Sequence, residues 1–217
     1  MKPIVPAGGS PARVGALLLA AGRSSRMGGP NKLLVNVDGE PMVRRALRTL
    51  QAVPLAPIVV VLGAAAGAVR AALAELAAWQ ACSAPESADH QVSVDAGLRA
   101  LPADLDAILV MLSDQPLLDA ADLRWLVDQW RARPRGGARV PGFEGRRGHP
   151  VIVDAAMRAP ILDAGPGVGA RGYLAAHPAL VRRVEARNDH FVVDIDTVDD
   201  LAQLAGRGLR AAISREG

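Results

Sequence analysis

Three uninterrupted apolar runs decide most of what this chain can fold into. Val14–Ala20, Ile58–Leu62 and Ala107–Leu112 each have the length of one buried strand, and each is followed by a stretch with helical periodicity. After the first run comes Pro41–Ala52, with Pro suited to a first helical turn. Val43, Ala46, Leu47 and Leu50 form its inward stripe, and Arg44, Arg45 and Arg48 its wet face. After the second comes an alanine-rich segment from about Ala66 to Trp79, and after the third Ala120–Arg131, with Leu123, Leu126, Val127 and Trp130 inward. Strands buried on both faces that alternate with helices imply βαβ crossovers. The expected fold is α/β: a Rossmann-like, mainly parallel sheet flanked by helices on both faces.

The rest of the chain is more broken. Ala81–Ser83 reads as a short strand and Ser93–Ala100 as a helix. Arg139–Pro141 and Pro150–Val153 read as strands flanking a turn rich in Gly and Arg. Ala155–Leu162 and Ala170–Ala176 suit short helices, Val181–Val184 and Phe191–Ile195 closing strands, and Val198–Ala205 a terminal helix. Residues 1–13 scatter Pro and Gly without periodicity and read as a flexible leader, with 14–217 as a single domain. The leader lacks the apolar core of a signal peptide, and no run approaches the roughly 20 apolar residues of a membrane span, so a cytoplasmic protein with no membrane partner is expected.

Cys82 is the single cysteine, which excludes an internal disulfide or a cysteine-based zinc cluster. The net charge of +3 is a poor guide to partners. All but two of the 25 basic residues are Arg, and with the many alanines this points to GC-rich codons rather than to a nucleic-acid surface. The arginines are spread out and only six aromatic side chains are present, so no nucleic-acid partner is expected. Against that bias a lysine inside the folded chain stands out, and Lys32 is the one.

Lys32 closes the loop after the first strand, Ala20-Ala21-Gly22-Arg23-Ser24-Ser25-Arg26-Met27-Gly28-Gly29-Pro30-Asn31-Lys32. Ligands of open parallel sheets sit beyond the carboxyl ends of the strands, where this loop lies. Its glycines let backbone amides approach an anion, Arg26 offers a fork of donors to phosphate oxygens, and Lys32 offers a compact charge. That is the chemistry of a polyphosphate cradle; a plain surface loop is the alternative. Neither the dinucleotide fingerprint nor the Walker pattern is present, since no G-x-G-x-x-G opens a helix and Leu33 follows Lys32. Asp114 follows the third strong strand in Ser113-Asp114-Gln115-Pro116 and points into the same crevice. One carboxylate there suits a nucleotide-bound magnesium ion, and the competing role is a cap for the next helix.

Leu19-Ala20-Ala21-Gly22-x-Ser24-x-Arg26-Met27-Gly28, with Lys32 four residues on, resembles the signature of sugar- and cofactor-nucleotidyltransferases. Within these it is most similar to the molybdenum cofactor cytidylyltransferases. The resemblance implies a fold of the nucleotide-diphospho-sugar transferase type. It also implies Mg²⁺-dependent transfer of CMP from CTP to the molybdopterin cofactor with loss of pyrophosphate. Arg26 and Lys32 would be catalytic. Ala20, Ala21, Gly22, Ser24, Arg26, Gly28 and Lys32 would bind the nucleotide, with the base near Ala20, Ala21 and a turn holding Ser93 and Gly97. Asp114, in the Asp-x-Pro tripeptide, would hold the metal with Asp196 or Asp194. Arg147-Gly148-His149-Pro150 and Arg171 match the acceptor side, which would take a phosphorylated pterin, with a molybdoenzyme or its maturation factor as protein partner.

Two departures qualify the match. Pro166-Gly167 stand where the family has Gly-Asp, and Asp89-His90-Gln91-Val92 replace Gly-Met and small residues before Ser93. They keep open a homologue that binds nucleotide or cofactor without transfer. A third reading is an oxidoreductase recruited from the same fold.

Overall fold

The computed structural model describes residues 12–22, 27, 31–84, 90–132, 137–165 and 168–212. In chain order the elements are β1 (Val14–Ala20), β2 (Asn36–Val37), β3 (Glu40–Pro41), α1 (Met42–Gln51), β4 (Ile58–Leu62), α2 (Ala66–Leu73), β5 (Gln80–Ser83) and α3 (His90–Ala100). There follow β6 (Ala107–Leu112), α4 (Ala120–Arg131), β7 (Ala138–Phe143), β8 (Arg146–Arg147), β9 (Val151–Asp154), α5 (Arg158–Asp163), α6 (Gly169–Ala176), β10 (Val181–Glu185), α7 (Val198–Ala205) and β11 (Ala211–Ala212).

The large sheet runs in the order β10-β7-β9-β6-β1-β4-β5, with β8 paired to β7. β1 lies parallel to both β4 and β6, so Leu17 faces Val59 on one side and Val110 on the other. β9 runs antiparallel between β6 and β7, which makes the sheet mixed but mostly parallel. Because side chains alternate along a strand, β1 feeds two cores. Ala16, Leu18 and Ala20 join Val60, Leu109 and Met111 under α1, α2 and α4. Leu17 and Leu19 join Val59, Ile108 and Val110 under α3, α5 and α6. Leu17 and Leu18 have no exposed surface, and truncating either to Ala costs about 2–5 kcal/mol. Gly97 lets α3 lie close on this sheet: a Cβ there meets Val61 Cγ2 at 2.8 Å and Leu17 at 3.1 Å.

Three sequence expectations are corrected. Phe191–Ile195 is not a strand. Residues 190–192 make a 3-10 turn, with Phe191 buried beside Trp125 (ring centroids 5.3 Å apart), and Ile195 enters a third core with Met27, Leu201 and Leu204. These apolar side chains are satisfied by packing rather than by a ladder. The helix from Ala66 ends at Leu73, because the chain turns with Ala78 at φ +58° to start β5. Ala155–Leu162 divides into a 3-10 turn over Ala155–Met157 and α5. The small antiparallel sheet β11-β2-β3 falls below the length at which periodicity registers. α4 and α7 start on capping boxes, Asp119 with Asp122 and Thr197 with Asp200.

Candidate active site

The carboxyl ends of β1 and β6 meet the segment that returns before α7. Ser113 Oγ donates to the carbonyl of Leu19 at 2.7 Å, tying those two strand ends together. Asp114 follows at once. The Ile195 amide donates to the Asp114 carbonyl at 3.0 Å, which draws the returning segment against this end. One residue on, the Asp196 amide donates to Asp200 Oδ2 at 2.9 Å, inside the capping box of α7. Lys32 arrives from the opposite side on a 3-10 turn whose cap, Asn31, accepts from the Leu33 amide at 3.0 Å.

Its ammonium donates to Asp114 Oδ2 at 2.6 Å and to Asp196 Oδ1 at 2.8 Å. Lys32 keeps 9% of its surface exposed. Burial pulls the ammonium's pKa down, but Asp114 and then Asp196 outweigh it, and the net shift is upward. Lys32 therefore stays charged across the ordinary pH range. It can offer charge but not a base. Asp194 sits exposed at the rim; partial loss of hydration and then the charges of Asp114 and Asp196 raise its pKa. Strand alternation does not choose between Asp194 and Asp196, since no strand forms there; the hydrogen bonds of Ile195 and Asp196 set which carboxylate reaches Lys32.

Beside this cluster Ala20 is buried at the end of β1, Ala21 is half-buried, and Gly22 is exposed with nothing within 4 Å of where a Cβ would stand. Ser24, Arg26 and Gly28 lie outside the described residues. Met27, between them, is buried in the third core. Ser93 and Gly97 are both buried on α3, and the contacts of Gly97 are those of helix–sheet packing.

The Arg147–Pro150 segment is built around the Phe191 carbonyl. That oxygen accepts from the His149 amide and from Gln115 Nε2, both at 2.9 Å. A Cβ on Gly148 would come within 2.4 Å of it, so only glycine fits. Pro150 is buried ahead of β9. Arg147, His149 and Arg171 line one cavity of about 430 Å³ between the sheet and α3, α5 and α6. Burial and then the Arg147 charge push the His149 imidazole down to about 4 against the pull of Asp114, so it is neutral near pH 7. Gln115 and the Phe191 turn were missed as positioning groups; the signal available was a glutamine beside Asp114 at a strand end.

Asp119, Asp122 and His190 also place ligand atoms within 4.8 Å of one another. Three of their four carboxylate oxygens are already engaged. Asp119 Oδ1 accepts from the Ala121 and Asp122 amides, and Asp122 from the Asp119 amide, Asn188 and the His190 ring. The group caps α4 and tethers the Phe191 turn to it.

The mostly parallel sheet with helices on both faces is the fold of a nucleotidyltransferase from Methanothermobacter thermautotroptrophicus, with a TM-score of 0.76 at 22% identity over 90% of this chain and 97% of that one. Residues 16–184 match the MobA-like NTP transferase domain, and the chain belongs to that family. It is 31% identical over 201 residues to the nicotine blue oxidoreductase of Paenarthrobacter nicotinovorans, covering 88% of this chain and 96% of that protein. Over 137 residues it is 34% identical to the 2-C-methyl-D-erythritol 4-phosphate cytidylyltransferase of Streptomyces coelicolor, covering 58% of this chain and 48% of that protein. A Mycobacterium tuberculosis protein solved in complex with manganese shares the fold, with a TM-score of 0.73 at 24% identity over 89% of this chain and 98% of that one. No helix among the described residues is long and apolar enough to cross a membrane.

Proposed function

We propose that the chain is a magnesium-dependent cytidylyltransferase that moves CMP from CTP to a phosphorylated acceptor and releases pyrophosphate. The family resemblance supports a pterin of the molybdenum cofactor type as the acceptor, and a molybdoenzyme or its maturation factor as the receiver of the product. The observation that carries the reading is the Lys32 ammonium held by Asp114 and Asp196 beyond the strand ends. The cytidylyltransferase among the relatives supports the choice of CTP.

In this reading an acceptor phosphate oxygen attacks the α-phosphorus. The new P–O bond forms as the bond to the bridging oxygen breaks, and pyrophosphate departs with that electron pair. The nucleophile is ionised near neutral pH, so no general base is needed, and the protein's work is positioning and charge stabilisation. Lys32 offsets charge that builds on the bridging oxygen, while Arg26 and the amides near Gly22 hold the triphosphate. The donor set suits magnesium: hard carboxylate oxygens, among them Asp114 Oδ1, which is buried without a hydrogen-bond partner among the described residues. Asp114 and Asp196 would hold the ion, with Asp194 beside them. When bound there it adds positive charge against the triphosphate oxygens.

The test is pyrophosphate release from CTP with a pterin acceptor by wild-type protein, Lys32→Ala and Asp114→Ala. Both variants should lose it while keeping their circular dichroism, and unchanged turnover in either one sinks the assignment. Melting with CTP, GTP, ATP and UTP in Mg²⁺ identifies the base, because a bound ligand raises the midpoint by mass action. Binding of CTP without release would leave a homologue that has lost transfer. The near full-length similarity to nicotine blue oxidoreductase favours a second reading, redox turnover on the same fold. Nicotine blue with a reduced nicotinamide donor tests it, bleaching of the dye being the positive result.

A further inference from the structure

On the α3, α5 and α6 side, side chains do not fill the space above the sheet. The cavity of about 430 Å³ there falls within the range of small-molecule sites, roughly 300–1,000 Å³. Leu19, Val110 and Val153 form its floor, and Val94, Leu98 and Leu174 its walls. Polar groups gather at one end: His90, Gln91, Arg147, His149 and Arg171. The Gln91 side-chain oxygen Oε1 accepts from the Arg171 amide at 3.4 Å. His149 is neutral there.

Arg147 and Arg171 dominate that end. Both are exposed, and neither has a carboxylate partner among the described residues. Arg147 loses hydration and feels the charges of Arg171 and Arg183, so its own charged form is disfavoured. Two guanidinium groups at one end of a cavity, with no carboxylate partner among the described residues, call for an anion. The hydrocarbon beyond them lacks partners for polar atoms. Each polar atom buried against it without a hydrogen bond costs about 1–3 kcal/mol, so a polyhydroxylated sugar, or a pterin with nitrogen and oxygen around its edge, fits this depth poorly.

We propose that this cavity binds an aromatic or hydrocarbon-rich body carrying one anionic group, the body between α3 and α6 and the carboxylate or phosphate between Arg147 and Arg171. None of the groups proposed to hold the triphosphate or the metal lines it. Where it serves as the acceptor side, a role that rests on the transfer reading above, the cavity favours an aromatic anion over the pterin given there as acceptor, and the titration below decides between the two.

Calorimetric titration without nucleotide or metal decides the matter, with 2-naphthyl phosphate and 2-naphthoate as probes. The controls are 2-naphthol, glucose 1-phosphate, pterin-6-carboxylate and inorganic phosphate. At least one naphthyl anion should bind about tenfold or more tighter than every control, because only it meets both halves of the site. The better of the two anions shows whether phosphate or carboxylate is preferred. Arg147→Met and Arg171→Met, at exposed positions, should each weaken the naphthyl anions by about tenfold and leave 2-naphthol unchanged. Val94→Trp should fill the cavity and remove ring binding. Equal or tighter binding of the pterin or the sugar phosphate overturns the proposal, as do a lack of naphthyl binding and indifference to both arginine variants. CTP-dependent melting reports separately on the transfer reading, so either idea can fail alone.

Discussion

Two sets of cationic side chains lie near one end of the sheet, and they are surrounded in opposite ways. Lys32 is buried and compensated, with a carboxylate on each side at hydrogen-bond distance. Arg147 and Arg171 are exposed, near each other, and without acidic partners among the described residues. A compensated buried charge belongs to the stability of the fold, since removing one partner strands the others away from water. An uncompensated exposed charge contributes little to folding and is held ready for something that binds. The contrast separates a centre that fixes geometry from one that selects a ligand.

The largest expected effect is on turnover. Asp114→Ala should lower pyrophosphate release by at least about 10²–10³-fold, the cost of losing one fixed electrostatic group in a reactive site; steady-state rates across a CTP series check it. Next is the stability of the compensated centre. Lys32→Met leaves Asp114 and Asp196 facing each other, and should cost about 2–3 kcal/mol once the partial exposure of Asp196 is allowed for. Urea midpoints measure that loss, and an unchanged midpoint would erase the contrast.

The third effect is pH-dependent. Native His149 resists a proton that the unfolded chain accepts below its ordinary pKa of 6.5. Its contribution is therefore whole above pH 6.5 and is lost as pH falls from 6.5 to about 4, at roughly 1 kcal/mol per pH unit. His149→Phe should flatten that part of a stability–pH curve taken by urea titration. Gly148→Ala, which forces a methyl against the Phe191 carbonyl, should cost about 1–3 kcal/mol and weaken turnover as the Gln115 contact shifts. Smallest is Arg171→Met, expected within about 0.5 kcal/mol of wild type in stability, its effect showing only with anionic ligands.

What was legible in the sequence follows from how locally each feature is determined. β1, β4, β6, α4 and α7 stand at the expected positions because their patterns and caps are written in consecutive residues. Lys32 was visible through its rarity and Asp114 through its place after a buried strand. The choice of Asp196 over Asp194 as the partner of Lys32 was not visible. It depends on the Ile195 amide reaching a carbonyl 81 positions back, and on the α7 cap. Phe191–Ile195 misled for a related reason: an apolar run says that its side chains are buried, but not whether a sheet edge or a separate small core buries them. The cavity was equally hidden, since no single helix or strand carries both the hydrocarbon walls and the arginine mouth.

The late origin of Asp196 gives the site an order of assembly. Every strand of the large sheet has been synthesised by Glu185, whereas Asp196 and the helix that steadies it come only afterwards. A growing chain thus completes its scaffold before it has both acids of the Lys32 cluster. Prematurely ended chains that stop between these two points would carry every strand of the large sheet and an incomplete Lys32 cluster.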